Sequence, residues 1–257
     1  MEHSGTTLIS LLLNGHPRIC SGVECGLLLS NIHDYDKAKP FYQWLIIDGW
    51  HWGLTEQDRK TLTTACSYDE AYGMLSHYKG RGNSDPKLRE LFAEAPLIYD
   101  KTPAYIYRID EIIKKVKQPF IVTIKTPRER LESCIKRGQS VSDFLNYYAL
   151  AMKKTMKAYT ENPNRLLLVS YKSLSTDHEA VMERIQSFIK IEDPVNLSLD
   201  RYNQRFGRLI KKRNSFHSDE ISYSPPSIPL SESDVQALHK FNRKWGKLID
   251  EISQICI

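Results

Sequence analysis

Ser4-Gly5-Thr6-Thr7 stands directly before an apolar helical run, Leu8-Ile9-Ser10-Leu11-Leu12-Leu13, which closes at Asn14-Gly15-His16-Pro17. A small-residue turn entering a helix presents free backbone N–H groups, hydroxyls and the positive end of the helix dipole. Such an arrangement suits a phosphate or sulfate ester. The same residues also read as an ordinary polar helix cap, and later residues decide between the two. Gly22-Val23-Glu24 follows the first helix, and Tyr99-Asp100-Lys101-Thr102-Pro103 follows a short apolar run, Pro96-Leu97-Ile98. Pro119 to Ile124 reads as a continuous, β-branched buried strand. It runs into Lys125-Thr126-Pro127-Arg128 and a helix carrying Ser133 and Arg137. Arg165 to Ser170 reads as a second buried strand, ending at Tyr171. Basic and hydroxyl residues thus recur where expected strands end, the edge at which open α/β sheets bind ligands.

The ordered pieces HSGTTL, SGVE, DKTP, KTPRERLES and VSYKSL resemble the sulfotransferases that use 3′-phosphoadenosine-5′-phosphosulfate (PAPS). They resemble in particular the branch holding the tyrosylprotein sulfotransferases and related bacterial enzymes. The likeness spans roughly residues 3–190 in pieces. It implies that Ser4, Gly5, Thr6 and Thr7 grip the 5′-phosphosulfate. Lys125 and Ser133 would hold the 3′-phosphate, with Arg137 near it and Tyr171 near the adenine. Glu24 would be the general base toward an acceptor hydroxyl, and Lys101 would lie near the transferred sulfonate. No metal is implied. Three departures stand out. His3 occupies the place of a Lys or Arg, and a neutral imidazole donates one hydrogen bond without charge. Lys125 replaces an Arg, keeping the charge and losing bidentate geometry. Only Met1, Glu2 and His3 precede the loop, too few for a strand of the usual ~5–6 residues. The resemblance places that strand between the strands ending near Tyr99 and Lys125. The expectation is therefore a shortened chain with a groove between those two strands.

Each role has a plainer counterpart. Glu24 could be a surface carboxylate beside a turn, and Lys101 a solvated lysine at a strand end. The helix after Pro127 could be amphipathic with Arg128, Arg130, Lys136 and Arg137 in solvent. Tyr171 could be packing. Cys20 and Cys25 lack a second pair, so zinc is disfavoured. His33, His51 and His77 show no ligand spacing. Lys211-Lys212-Arg213 reads as a solvated face rather than a nucleic-acid patch. With no GxxxxGK[ST] motif, ATP or GTP with magnesium is disfavoured.

The elements that must position these residues alternate between strand and helix, an α/β pattern that predicts a three-layer, P-loop-like parallel sheet flanked by helices. Strands are expected near 18–20, 96–99, 119–125 and 165–170. Beyond the first helix, others are expected near 36–47, 55–66, 68–78, 86–94, 103–117, 128–138, 142–161, 177–190 and 231–254. Thr176-Asp177-His178-Glu179 has capping-box spacing. Residues 33–83, rich in Trp and Tyr, read as a helical insertion, either an acceptor wall or a cap with its own small core. Residues 205–230 read as a loop over the cofactor, which makes Arg213 and Ser215 further candidates.

At 257 residues and 29.8 kDa the chain fits a single domain with a full core. A net charge of +5 accommodates an anionic cofactor without demanding nucleic acid. Five cysteines imply no disulfide framework. With no membrane span and no secretory signal in the sequence, a cytoplasmic setting is expected. The expected activity is sulfonate transfer from PAPS to a hydroxyl-bearing acceptor (a sugar, tyrosine or small molecule). Alternatives are a protein that binds PAPS or its product adenosine-3′,5′-bisphosphate (PAP) without turnover, and a kinase-like phosphotransferase.

Overall fold

The computed structural model describes residues 5–22, 24–29, 31, 52–206 and 221–257. His3, Ser4, Arg213 and Ser215 lie outside these residues, as do the expected helix at 36–47 and most of the 205–230 loop.

Two parallel strand pairs carry the fold. Strand β1 (Ile19–Cys20) pairs with β2 (Leu97–Ile98), and β3 (Phe120–Ile124) pairs with β4 (Leu166–Ser170) over five residues. Ile257 lines the far edge of β4, donating to Leu168 O at 3.1 Å and accepting from Ser170 N at 3.0 Å. The β3–β4 pair is apolar on both faces, as a parallel sheet covered by helices must be. Val122, Ile124, Leu166 and Leu168 join one core with α5 (Ile109–Ile112), α7 (Val141–Glu161) and α11 (Glu232–Ile255). Ile121, Leu167 and Val169 join the other, with α1 (Thr6–Asn14), α9 (His178–Phe188) and α10 (Leu199–Phe206). Strand alternation at period two produces this split, and the result is the expected three-layer α/β arrangement.

Helices α2 (Glu56–Leu62), α3 (Tyr68–Tyr78), α4 (Pro86–Glu94), α6 (Pro127–Ile135) and α8 (Tyr171–Thr176) complete the described set. Three expectations are corrected. Residues 103–117 do not form one helix: a 3₁₀ segment, Pro103–Arg108, precedes the short α5. Tyr171 opens α8 instead of ending a strand, because Ser170 accepts the Ser173 N–H and caps a new helix. The cap of α9 is Asp177, which accepts from Ala180 N, while Thr176 donates back to Lys172 O.

Strands β2 and β3 are not paired with each other. Between them lies a groove of about 550 Å³, lined by Leu97 and Ile98 on one side and by residues 120–123 on the other. Thr6, Ile9 and Leu13 of α1 form its roof. The expected groove is present, and neither direct pairing nor another described segment closes it. Leu97 N donates to Arg18 O and Phe120 N to Arg165 O. Strand alternation therefore turns the backbone groups of Ile98, Ile121 and Thr123 toward the groove. Thr123 Oγ1 is buried there with no partner among the described residues.

The 33–83 region is described from Trp52 onward. Trp52 is 1% exposed and packs with Cys25, Leu54, Leu62 and Leu75 in a small separate core. No described helix is long and apolar enough to cross a membrane.

Candidate active site

Gly5 caps α1 in the left-handed region, with φ +88°, and makes no side-chain cap to the first turn. A side chain at this position is excluded twice. The φ favours glycine, and a Cβ here would lie 2.5 Å from Cδ2 of Tyr171. The first N–H groups of α1, including those of Thr6 and Thr7, have no acceptor among the described residues and can face a ligand. The helix itself is firmly seated, with every residue from Leu8 to Asn14 buried. Its far end is closed by Arg205, whose guanidinium donates to Asn14 O at 2.8 Å and Pro17 O at 2.9 Å.

The β3–β4 register explains what stands opposite Gly5. Ile124 pairs with Ser170, so the next residues, Lys125 and Tyr171, emerge side by side. Lys125 Nζ lies 3.6 Å from the centre of the Tyr171 ring, a cation–π contact. Burial lowers the Lys125 ammonium below its ordinary value of 10.5, and Glu129 partly opposes that shift. A half-buried cation with an aromatic ring as its neighbour is suited to an anionic ligand. Thr126 and Glu129 form a capping box at the start of α6. Ser133 lies later in α6 and is half-buried, and Arg137 lies just beyond the helix and is exposed. The segment that returns after residue 220 is tied to α6. Ile228 N donates to Glu132 Oε1 at 2.7 Å, and Tyr223 Oη to Glu129 Oε1 at 2.7 Å.

The second half of the site follows β1 and β2. Their parallel pairing, Cys20 with Ile98, sends the Glu24 and Asp100–Lys101 segments out at one edge. Lys101 Nζ donates to Glu24 Oε1 at 2.8 Å, with side chains 14% and 25% exposed. Thr6 and Lys101 both line the groove between the two strand pairs. Gly5 and Thr6, adjacent in the chain, therefore join the Lys125–Tyr171 half to the Glu24–Lys101 half.

Sequence reasoning passed over Asp100 as a functional residue. Its carboxylate accepts from Cys25 N (3.3 Å), Cys25 Sγ (2.9 Å), Tyr72 Oη (2.7 Å), Thr102 Oγ1 (2.7 Å) and Tyr105 Oη. The partners come from three separate stretches, around Cys25, Tyr72 and Thr102–Tyr105, so no single local period announces them. The only signal was that Asp100 directly precedes Lys101 in DKTP. Among the described residues no three His, Cys, Asp or Glu side chains gather as a metal site would require.

A profile described as "Sulfotransferase family" matches residues 1–194. No curated protein matches the sequence significantly. Among solved structures, the sulfotransferase domain of the Synechococcus PCC 7002 olefin synthase is similar in fold. Its TM-score is 0.54 at 16% identity, over 93% of this chain and 90% of that one. The sulfotransferase domain from the curacin biosynthetic pathway gives a TM-score of 0.51 at 15% identity, over 94% of each chain.

Proposed function

The chain belongs to the sulfotransferase family, and we propose that it transfers the sulfonate of PAPS to an acceptor hydroxyl with Glu24 as general base. The observation that carries this reading is the Glu24–Lys101 pair at 2.8 Å, whose Lys101 lines a groove that also reaches Thr6 at the N-terminus of α1. The residues fit PAPS by their chemistry: N–H groups at Thr6 and Thr7 without an acceptor among the described residues, and a half-buried cation at Lys125 beside the Tyr171 ring. The Ser4–Thr7 loop, with His3, would hold the 5′-phosphosulfate. Lys125, Ser133 and Arg137 would hold the 3′-phosphate, and Tyr171 the adenine. Arg213 and Ser215 are proposed as covering residues. PAPS supplies an activated sulfonate; the rest falls to the protein.

Lys101 is the cation for anionic oxygens arriving at the groove, and such an anion competes with Glu24 for it. Drawing Lys101 away frees Glu24 Oε1 to accept the proton of the acceptor hydroxyl. The acceptor oxygen bonds to sulfur as the bond from sulfur to the phosphate oxygen breaks, and PAP leaves with the electron pair. Preorganised donors at the developing charge make the largest contribution in reactions of this type. Acceptor classes that suit a carboxylate base are phenols, including tyrosine, and sugar hydroxyls.

The test is transfer of ³⁵S from labelled PAPS into a panel of phenols and sugars, with PAP and ATP affinities measured beside it. PAP binding with transfer supports the reading. PAP binding with no transfer to any acceptor indicates a binding protein, and ATP preferred over PAP indicates a phosphotransferase.

A further inference from the structure

We infer that Asp100 is a positioning residue that holds Glu24 and Lys101 in their working geometry, through a hydrogen-bond hub on the segment after Glu24. This rests on the proposed roles of Glu24 and Lys101. Asp100 immediately precedes Lys101, and Cys25 immediately follows Glu24. The carboxylate takes both the N–H and the thiol of Cys25, so it grips the two catalytic candidates from one peptide unit away on each side.

The hub extends by relay. Thr102 Oγ1 donates to Asp100 Oδ1 and accepts from Gly26 N at 3.1 Å. Tyr105 Oη donates to Asp100 Oδ2 and accepts from Leu28 N at 3.2 Å. The amides of Cys25, Gly26 and Leu28 therefore end on one carboxylate, directly or through one hydroxyl. This stretch needs such a hub because β1 and β2 pair over only two residues each. A carboxylate is the one side chain that suits five donors, since it accepts at both oxygens and donates at neither. Cys25 and Tyr105 remain donors, their protons held by burial and by the Asp100 charge. An asparagine would keep the shape and turn an NH₂ toward groups that are themselves donors.

The experiment compares wild type, Asp100→Asn, Glu24→Gln and the double variant. Amide hydrogen exchange is read at Cys25, Gly26 and Leu28. PAP affinity is read by calorimetry, and PAP release from PAPS is measured with 2-naphthol as the probe acceptor. Asp100→Asn is expected to speed exchange at those three amides at least tenfold while leaving β3 and α1 amides unchanged. PAP affinity should stay within about twofold while kcat falls by up to about 100-fold, the cost of misplacing a reacting group by about 1 Å. In the Glu24→Gln background the same change should cost clearly less than in wild type, because the part of the loss that runs through Glu24 is already gone. Unchanged exchange at the three amides overturns the inference, as does a loss that is fully additive with Glu24→Gln. If Asp100→Asn does not fold, Tyr105→Phe and Thr102→Val each remove one relay and should speed exchange at Leu28 and Gly26 respectively. A Glu24→Gln variant with the wild-type rate would instead refute the base assignment, and the exchange result would still decide the hub.

Discussion

The two strand pairs each carry half of the candidate site and hold it by different means. In β3–β4 a five-residue parallel ladder, apolar on both faces, places Lys125 beside Tyr171. No side-chain hydrogen bond is needed, because the register itself makes them neighbours. In β1–β2 the ladder is two residues long, and the Glu24 segment is held by polar contacts to Asp100. A long ladder positions by backbone register, whereas a short one requires side chains to complete the work. The β3–β4 half should therefore tolerate loss of any one polar contact, and the β1–β2 half should not.

The sharpest test of that contrast lies on the β1–β2 side. Glu24→Gln is expected to lower kcat by about 10²–10⁴-fold, the usual worth of a general base, with PAP binding retained. A near wild-type kcat would remove the chemistry from this half of the molecule. On the β3–β4 side the expected effect is on binding. Lys125→Ala should weaken PAP about tenfold or more, from loss of a charge-assisted contact worth about 1.5–3 kcal/mol. Adenosine-5′-monophosphate, which lacks the 3′-phosphate, should be nearly unaffected. Equal weakening of both ligands would break the assignment.

The same residue predicts a pH dependence. Burial lowers the Lys125 ammonium, and an anion binds the charged form. PAP affinity should fall as pH rises through that lowered value, earlier than an ordinary lysine near 10.5 would dictate. Lys125→Arg, charged throughout this range, should flatten the decline seen in calorimetric titrations.

Smaller effects probe the hinge between the halves. Gly5→Ala forces an L residue to φ +88° against the Tyr171 ring and should cost about 1–3 kcal/mol, read as a lower melting temperature. A stability equal to wild type would show that Tyr171 does not press on α1. The smallest effect is expected in the groove that separates the two pairs. Thr123→Val removes a buried hydroxyl without a partner among the described residues, keeps the shape, and should leave stability unchanged or raise it by up to about 1 kcal/mol. A clear loss would mean that the hydroxyl is satisfied within the groove.

Much of this was readable from residue order. Continuous β-branched and leucine runs marked β3 and β4, and their flanking polar residues marked the sheet edge where the candidate site lies. Apolar spacing marked α3, α4, α7 and α11 to within a few residues. The expectation for 103–117 failed because a helical pattern does not reveal that Tyr105 Oη is drawn to Asp100 while the backbone tightens into a 3₁₀ segment. Tyr171 was expected at a strand end because its capping by Ser170 is a matter of backbone direction, not of composition.

The sequence by itself determined the strands, the glycine turn entering α1, and the residue types able to meet an anion, because these depend on local sterics and on periodicity along the chain. Only the tertiary structure decided that Lys125 stacks on Tyr171, that Lys101 meets Glu24, and that Asp100 gathers donors from residues 25, 72, 102 and 105. Most of those contacts join positions tens of residues apart. They depend on the register of parallel strands and on how separately formed cores pack together, quantities that no short stretch of sequence contains.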